Sequence, residues 1–291
     1  MKWNKKVKNL IFPLFLITVC LIIAFGFMPE NTDGKLTVVF INTGNSDSIF
    51  IKMPDGKTAL IDGGLEDSLR EIHNVLYNYN VKTLDYLINT HQHDDHLGSF
   101  PKLLKVYSAK NFYMPKSNIG NEHFDVTKEM LKKNNIPINI IKRGDIICDG
   151  EVKIEVLAPL EDMESANENN YSAVLLLTFG EKTFLFTGDA ERAIINSLVV
   201  DYKLSHCDVL KSGHHGSKNA NPFYALEIIS PDFAVITSEA EDNENTKYIK
   251  KVFTDLKTEY YFTGEHGNIT MISDGKNIEI KTGRKIKNED R

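Results

Sequence analysis

The sequence of 291 residues is poor in the features that define several protein classes. It contains three cysteines, and one of them lies in an apolar N-terminal run, so a disulfide framework is excluded as the basis of the fold. The other two, Cys148 and Cys207, lie in neither a Cys-x-x-Cys pair nor a histidine cluster. We expect both in the core, and a bond between them stays open. No internal repeat or low-complexity tract is present, which excludes repeat and fibrous architectures.

Excess positive charge is absent as well. The formal net charge is −6, and four lysines precede residue 10, so the chain beyond residue 29 has 30 basic and 40 acidic residues. A broad basic surface for nucleic acid is therefore not expected, which leaves nucleic acid open only as a substrate held in a confined cleft. Residues 282–291 are locally basic, and we interpret them as a solvated or lipid-contacting tail.

One long hydrophobic run stands at the N-terminus. Residues 10–28 carry no charge and follow a lysine-rich flank, which is typical of a membrane-spanning helix whose basic end is cytoplasmic. We interpret residues 1–28 as a single-pass anchor in the cell membrane and residues 29–34 as a polar linker. The remaining chain is then extracytoplasmic. A cleaved signal peptide, with secretion of the mature protein, is the alternative.

Residues 35–281 alternate short apolar, β-branched runs with amphipathic helical patterns. This alternation predicts an α/β domain, and the 42% hydrophobic content of the chain is enough to fill a sizeable core. Three of the predicted strands end in clusters of histidine, aspartate and glycine. Loops that leave the ends of rigid strands commonly carry chemistry, so these three clusters are the candidate site.

The first cluster is the segment His-Gln-His-Asp-Asp-His at 91–96, which follows a predicted buried strand. Side chains two apart in an extended segment point to the same side, so His91 and His93 can bind one ion together. The turn that follows presents Asp95 and His96 to a second position. Imidazole and carboxylate ligands together favour zinc or manganese over calcium.

Two more carboxylates follow predicted strands and lie beside glycines. Asp189 follows the strand at 183–187, and we interpret it as a metal ligand, with a helix N-cap as the alternative. Asp62 follows the strand at 58–61. It is placed to orient a metal-bound histidine from behind, or to cap the next helix through an Asx turn.

The third cluster is Gly-His-His-Gly-Ser at 213–217. Adjacent residues of an extended chain point to opposite sides, so we expect one histidine to bind metal and the other to face the substrate. We assign His214 as the ligand and His215 as the catalytic residue, and the reverse assignment stays open.

These motifs, in this order, resemble the metallo-β-lactamase superfamily and, more narrowly, the hydrolase domain of the competence protein ComEC family. Residues 43–48 and 60–64 are similar to the N-terminal signature of that family, and residues 210–217 are similar to a later one. The resemblance covers about residues 35–281. It implies a four-layer αββα sandwich with a binuclear site at one edge of two packed sheets.

The resemblance also implies a ligand set for two divalent ions, either zinc or manganese. The set consists of His91 and His93 for the first ion, Asp95, His96 and one of His214 and His215 for the second, and Asp189 as the bridge. By the same comparison, Asp62 supports the first ion from behind.

The chain departs from the family pattern between the first motif and Asp189. Many members have a histidine there, whereas this chain reads Asn-Asn-Tyr-Ser at 169–172. This sequence is similar to the competence-type branch and argues against a β-lactamase. It leaves the first ion one ligand short, and Asn170 or Ser172 is the candidate to orient a water there.

Two cations about 3.5–4 Å apart lower the pKa of a shared water to near 7 and neutralise charge during displacement at phosphorus. We therefore predict a phosphodiesterase for a small or polymeric substrate, with metal-bound hydroxide as the nucleophile. Asp95 or Asp189 would position the hydroxide, and His215 and Ser217 would donate to the phosphoryl oxygens. A carboxylic ester or lactone hydrolase is one alternative, and a non-catalytic domain stabilised by metal is another.

Overall fold

The computed structural model describes residues 34–116 and 120–284. The predicted anchor at 1–28 lies outside these ranges, as do most of the predicted linker at 29–34 and tail at 282–291. Among the helices of the described ranges, none combines the length and the hydropathy that a bilayer span requires.

Within the described ranges, fifteen strands form two mixed sheets. In chain order they are β1 (Leu36–Phe40), β2 (Ile49–Lys52), β3 (Thr58–Ile61), β4 (Thr83–Ile88), β5 (Ser108–Pro115), β6 (Ile138–Ile141), β7 (Ile146–Asp149), β8 (Val152–Ala158), β9 (Val174–Phe179), β10 (Lys182–Phe186), β11 (Val209–Lys211), β12 (Phe233–Ile236), β13 (Glu259–Phe262), β14 (Ile269–Ser273) and β15 (Ile278–Thr282). The first sheet has the order β15-β14-β1-β2-β3-β4-β5-β6, and the second has the order β13-β12-β11-β10-β9-β8-β7.

The described helices connect these strands. They are α1 (Leu69–Asn78), α2 (Asp94–Leu97), α3 (Phe100–Val106), α4 (Glu122–Lys133), α5 (Arg192–Val200), α6 (Phe223–Ile229), α7 (Glu244–Leu256) and α8 (Thr263–His266). Short 3-10 turns lie at Glu66–Ser68, Glu168–Tyr171 and Gly213–Gly216.

The two sheets pack face to face through one apolar cluster. Phe40 of β1 and Phe186 of β10 meet in it with ring centroids 6.1 Å apart. Cys148 is buried in this cluster and Cys207 is buried elsewhere; both are free thiols, as expected of core residues. Burial of this apolar surface is the main source of the stability of the sandwich.

Helices cover the outer face of each sheet. Helices α1, α3 and α4 pack on the first sheet through Leu76, Leu103 and Leu131. Helices α5, α6 and α7 pack on the second sheet through Leu198, Leu226 and Phe253. The chain is thus a mixed α/β sandwich with two sheets, which confirms the predicted fold class at this level.

The strand directions bring the motifs together. Strand β3 is parallel to β4, and β10, β11 and β12 are mutually parallel neighbours. The carboxyl ends of parallel strands share one edge of a sheet, and such edges are the usual position of sites in open α/β sheets. Asp62, the 91–96 segment, Asp189 and the 213–217 segment all follow strands of these two groups.

The chain crosses between the two sheets near residues 264–268. Their sequence, Gly-Glu-His-Gly-Asn, is typical of a hairpin turn between two paired strands. Strands β13 and β14 instead belong to different sheets, and the chain forms the single-turn helix α8 where it crosses from one sheet to the other. The local sequence has turn residues in either case, so it does not reveal which strands pair.

Candidate metal centre

The loop after β4 is held in place by Asp62. The carboxylate of Asp62, which is fully buried, accepts hydrogen bonds from the Thr90 backbone N–H at 2.7 Å and from Thr90 Oγ1 at 2.7 Å. His96 Nδ1 lies 2.8 Å from Asp62 Oδ2. Because an ionised carboxylate only accepts, Nδ1 is the donor, and Nε2 of His96 is left to face the centre. Asp62 was expected behind the first ion, but it bonds His96, which the resemblance assigns to the second.

Four residues from three distant segments converge in front of this loop. His96 Nε2 lies 3.3 Å from Asp189 Oδ1, and His215 Nε2 lies 3.3 Å from Asp95 Oδ2. One ligand atom from each of these four residues falls within 4.8 Å of the others. The fold therefore brings the ends of β4, β10 and β11 to one point.

Three buried polar atoms at this point make no hydrogen bond, although each lies within ion-pair distance of a neighbouring group. Within the part of the chain that the structure describes, neither carboxylate oxygen of Asp189 has a hydrogen bond, nor does Nε2 of His96. A buried polar group without a partner costs about 1–3 kcal/mol, and more if it is charged. A divalent cation would satisfy all three atoms, and mixed imidazole and carboxylate donors suit zinc or manganese. The residues present therefore fit the metal ions that the resemblance implies.

His91 and His93 form a neighbouring pair. His91 Nε2 lies 3.0 Å from His93 Nδ1, which brings two ring nitrogens close enough to share one ion. The ring of His91 lies 4.1 Å, centroid to centroid, from that of His96. The two predicted ligands of the first ion thus adjoin the four-residue group but are not members of it.

Both histidines of the 213–217 segment face the centre. His214 Nε2 and His215 Nε2 lie 3.6 and 3.7 Å from Asp189 Oδ2. The expectation that they point to opposite sides is wrong because the chain is not extended there: the two residues have φ values of 48° and 52°. Non-glycine residues in this left-handed region cost about 1–3 kcal/mol each and are concentrated at functional sites. Of the two histidines, His215 belongs to the four-residue group with Asp95, His96 and Asp189. The sequence favours His214 as the ligand instead.

Within residues 169–172, the amide that contacts a histidine of the centre is that of Asn169, which the sequence does not single out. Asn169 Nδ2 lies 3.4 Å from His214 Nδ1. The two expected candidates form hydrogen bonds with backbone N–H groups instead. Asn170 Oδ1 accepts from the Glu191 N–H at 3.3 Å, and Ser172 Oγ accepts from the Asp189 N–H at 3.1 Å. Asn170 and Ser172 thus fix the loop that carries Asp189, and their expected role in orienting a water at the first ion stays a prediction.

A buried ion pair behind the centre was also missed. Lys211, the last residue of β11, is 1% exposed and forms an ion pair with Asp47, from the loop between β1 and β2. Lys211 Nζ also donates to the Gly188 carbonyl at 3.2 Å and lies 3.9 Å from Asp189 Oδ1. A lysine inside an apolar strand is the signal that was available, because lysine is almost never fully buried unless it is paired.

Asp47 is placed behind His215 as Asp62 is placed behind His96. Asp47 Oδ1 lies 3.4 Å from His215 Nδ1 and accepts a hydrogen bond from Thr237 Oγ1 at 2.5 Å. Histidine ligands of metals commonly donate their second ring nitrogen to such a carboxylate or carbonyl. The Thr237 carbonyl, 3.1 Å from His215 Nδ1, is a further acceptor.

The charges of the centre are strongly coupled. Burial would raise the pKa of Asp189, but the charges of His96 and His215 outweigh it and hold that pKa well below its usual range. Burial would likewise raise the pKa of Asp95, and the bond from His215 lowers it to about 2. Burial would lower the pKa of His215, but Asp189 and Asp47 raise it to about 9. The carboxylates are thus ionised and balanced by protons on imidazoles, which metal ions would replace.

Known proteins resemble this chain over most of its length. The chain is 27% identical over 246 residues to ComE operon protein 3 of Bacillus subtilis (strain 168), covering 79% of this chain and 31% of that protein. It is 27% identical over 221 residues to Competence protein ComA of Neisseria gonorrhoeae, covering 72% of this chain and 28% of that protein. The chain therefore spans about a third of the length of these relatives.

A solved structure shares the fold at low identity. CmlA, a diiron β-hydroxylase from Streptomyces venezuelae, superposes with a TM-score of 0.58 and 12% identity over 82% of this chain and 54% of that one. A family model described as the metallo-beta-lactamase superfamily matches residues 41–265. The resemblance predicted from the motifs is confirmed, and the chain belongs to the metallo-beta-lactamase superfamily.

Proposed function

We propose that the chain is a metal-dependent hydrolase that acts on phosphodiesters. The observation that carries this proposal is the set of buried atoms without hydrogen bonds on Asp189 and His96, which face Asp95 and His215. These four residues would hold one divalent ion, and His91 with His93, sharing Asp189, would hold another. When bound, such ions lower the pKa of a water and neutralise charge on a phosphoryl group.

The chain's own residues prepare this centre in two ways. Asp62 and Asp47 orient the rings of His96 and His215 through Nδ1, so that Nε2 of each points inward. Such supporting contacts set both the geometry and the basicity of a ligand. His214 is half-buried and held by Asn169, and beside it Ser217 lines the entrance. These two are the candidates to donate hydrogen bonds to phosphoryl oxygens.

A phosphodiester is favoured over a neutral ester by charge. Two divalent ions and Lys211 carry a formal charge of +5, against −4 for Asp95 and Asp189 together with Asp47 and Asp62 behind the histidines, so the loaded centre keeps a positive charge that attracts an anion. Two ions also offer separate contacts to the attacking and leaving oxygens of a phosphodiester.

We also propose that residues 1–28 anchor the domain on the outer side of the cell membrane, because the uncharged run at 10–28 follows a lysine-rich flank.

The test uses the full chain, purified in mild detergent. Bis-p-nitrophenyl phosphate should be hydrolysed with added Mn²⁺ or Zn²⁺ and not after chelation, and Asp189→Asn should reduce kcat at least 100-fold. A matched change at Asp85, whose carboxylate binds Thr58 and Lys110 away from the centre, should leave kcat unchanged. Equal turnover by Asp189→Asn, or none with either metal, would refute the proposal. Faster turnover of p-nitrophenyl acetate would identify an esterase instead.

A further inference from the structure

A cleft of about 280 Å³ opens beside the metal centre. His214 and His215 form part of its wall, so a group bound in the cleft would touch the centre directly. The other lining residues come from the loops after β1, β11 and β12 and from the start of α7: Asn45, Ser217, Ser238, Glu241, Asn243, Asn245 and Thr246.

Three asparagines of this lining have their amide oxygens engaged by the backbone. Asn45 Oδ1 accepts from the Glu239 N–H at 3.1 Å, and Asn243 Oδ1 accepts from the Thr246 N–H at 2.9 Å. Asn245 Oδ1 accepts from the Lys218 N–H at 3.1 Å. An amide fixed by its oxygen has two N–H donors left. Three neutral donor groups with fixed orientation therefore border the cleft.

The charge of the lining is unlike that of a nucleic-acid site. Among the described residues that form it, Glu241 is the acidic one, and lysine, arginine, phenylalanine, tyrosine and tryptophan are all absent. Sites for single-stranded nucleic acid combine a positive groove with aromatic rings on which bases stack. Neutral amide and hydroxyl donors instead suit uncharged oxygen acceptors such as hydroxyls and ethers.

We propose that this cleft binds a hydroxyl-rich group, a polyol or a sugar, that is joined to the scissile phosphodiester. The inference rests on the proposed function, because it places the reacting phosphorus at the adjacent metal centre. It names the substrate class as a polyol or sugar phosphodiester and not a nucleic acid.

Three substrates test the inference on the full chain in detergent with Mn²⁺. They are a glycerol-phosphate oligomer, an oligothymidylate with the same number of phosphates, and bis-p-nitrophenyl phosphate, which has no hydroxyl. The wild type should show a KM about tenfold lower for the glycerol-phosphate oligomer than for the oligothymidylate. An equal or lower KM for the oligothymidylate overturns the proposal in favour of a nucleic-acid substrate.

The variants Asn45→Asp and Asn245→Asp sharpen this test. Aspartate keeps the oxygen that accepts from the backbone, so the loops stay in place, but it loses both donors. The KM for the glycerol-phosphate oligomer should rise about tenfold more than that for the oligothymidylate, which carries the same number of phosphates and so meets the same added negative charge. An equal rise for the two oligomers would indicate simple charge repulsion and overturn the proposal. Glu241→Gln, the matched charge control, should change the KM of the two oligomers by the same factor.

The failure of the proposed function is separable from the failure of this inference. If no substrate is hydrolysed with either metal, the hydrolase proposal fails, and calorimetric binding of the two oligomers to the wild type still measures the preference of the cleft. Tighter binding of the glycerol-phosphate oligomer, weakened by Asn245→Asp, supports the cleft assignment. Tighter binding of the oligothymidylate, or no binding of the glycerol-phosphate oligomer, refutes it.

Discussion

Asp47 and Asp62 have the same role, the support of a histidine of the centre, in different surroundings. Both are at most 1% exposed, and each lies behind Nδ1 of a histidine of the centre. Asp62 is held mainly by the neutral donors Asn89 and Thr90, and burial raises its pKa above the usual range despite the charge of His96. Burial would also raise the pKa of Asp47, but the charge of Lys211 outweighs it and holds that pKa well below the usual range. Because both carboxylates are buried, the additional charge of Lys211 beside Asp47 accounts for the opposite directions of the two pKa shifts.

The two aspartates also differ in what they connect. The bonds of Asp62 stay within loops of the first sheet, whereas the pair of Asp47 and Lys211 joins a loop of the first sheet to the last residue of a strand in the second. A buried ion pair gains little over apolar packing, because desolvation offsets most of the attraction. Removing one partner is a different matter, since the other is left as a buried, unpaired charge.

The largest effect is therefore expected from Lys211→Met. This change leaves the Asp47 carboxylate buried without its cation and should lower the free energy of unfolding by about 3–5 kcal/mol. The pKa of Asp47 should rise toward that of Asp62, because His215 and His96 alone would then oppose the effect of burial. Urea unfolding at pH 7 measures the loss.

A double variant decides whether the loss comes from the unpaired charge. Asp47→Asn combined with Lys211→Met removes both charges and should recover most of the stability, as buried pairs replaced together often do. If the double variant is as unstable as Lys211→Met, the loss comes from packing at Lys211 and the comparison with Asp62 fails. An unchanged unfolding free energy in Lys211→Met would show that water reaches the pair.

Asp62→Asn should have an intermediate effect, on metal binding. The asparagine has nearly the shape of the aspartate, but it no longer offers His96 Nδ1 a charged acceptor. The loss of such a support typically lowers metal affinity 10–100-fold. Calorimetric titration of the metal-free protein with Zn²⁺ measures this. Asp85→Asn, in the adjoining strand β4, is the control and should bind Zn²⁺ as the wild type does. Wild-type affinity in Asp62→Asn would mean that Thr90 Oγ1, which lies 3.3 Å from His96 Nδ1, is enough to fix the ring of His96.

The features of the site that depend on neighbouring residues could be predicted from the local sequence. The strand end before His91 and the glycine before Asp189 mark loops that carry chemistry, and both segments lie at the centre. The order of the motifs was enough to indicate the sandwich. The family model matches residues 41–265, and this range contains all of the motifs and strands of both sheets.

What the sequence did not reveal depends on distant contacts or unusual backbone. Asp47 and Lys211 are 164 positions apart, and no local pattern pairs them. The expectation for His214 and His215 failed because it assumed an extended chain, and both residues are left-handed. Local sequence also does not show which amide of the 3-10 turn at Glu168–Tyr171 lies beside His214, because Asn169 and Asn170 face different partners there.

The smallest effect is expected at the other end of β11, where Asp208 pairs with Lys182 at 2.6 Å and also accepts two bonds from Thr183. Burial would raise the pKa of Asp208, but these bonds lower it, so its folded pKa lies below the unfolded value of about 3.9. The stability that Asp208 contributes is therefore complete above the unfolded pKa and is lost as pH falls through the folded one.

Asp208→Asn should lower the free energy of unfolding by about 1–2 kcal/mol at pH 7, in the range of a charged hydrogen bond, and the difference from the wild type should become smaller on acidification. Urea unfolding of both proteins at pH 7 and pH 3 measures the difference in their unfolding free energies. An equal difference at both pH values would assign the cost to lost hydrogen-bond geometry at Thr183. A larger difference at pH 3 would contradict the direction of the pKa shift of Asp208.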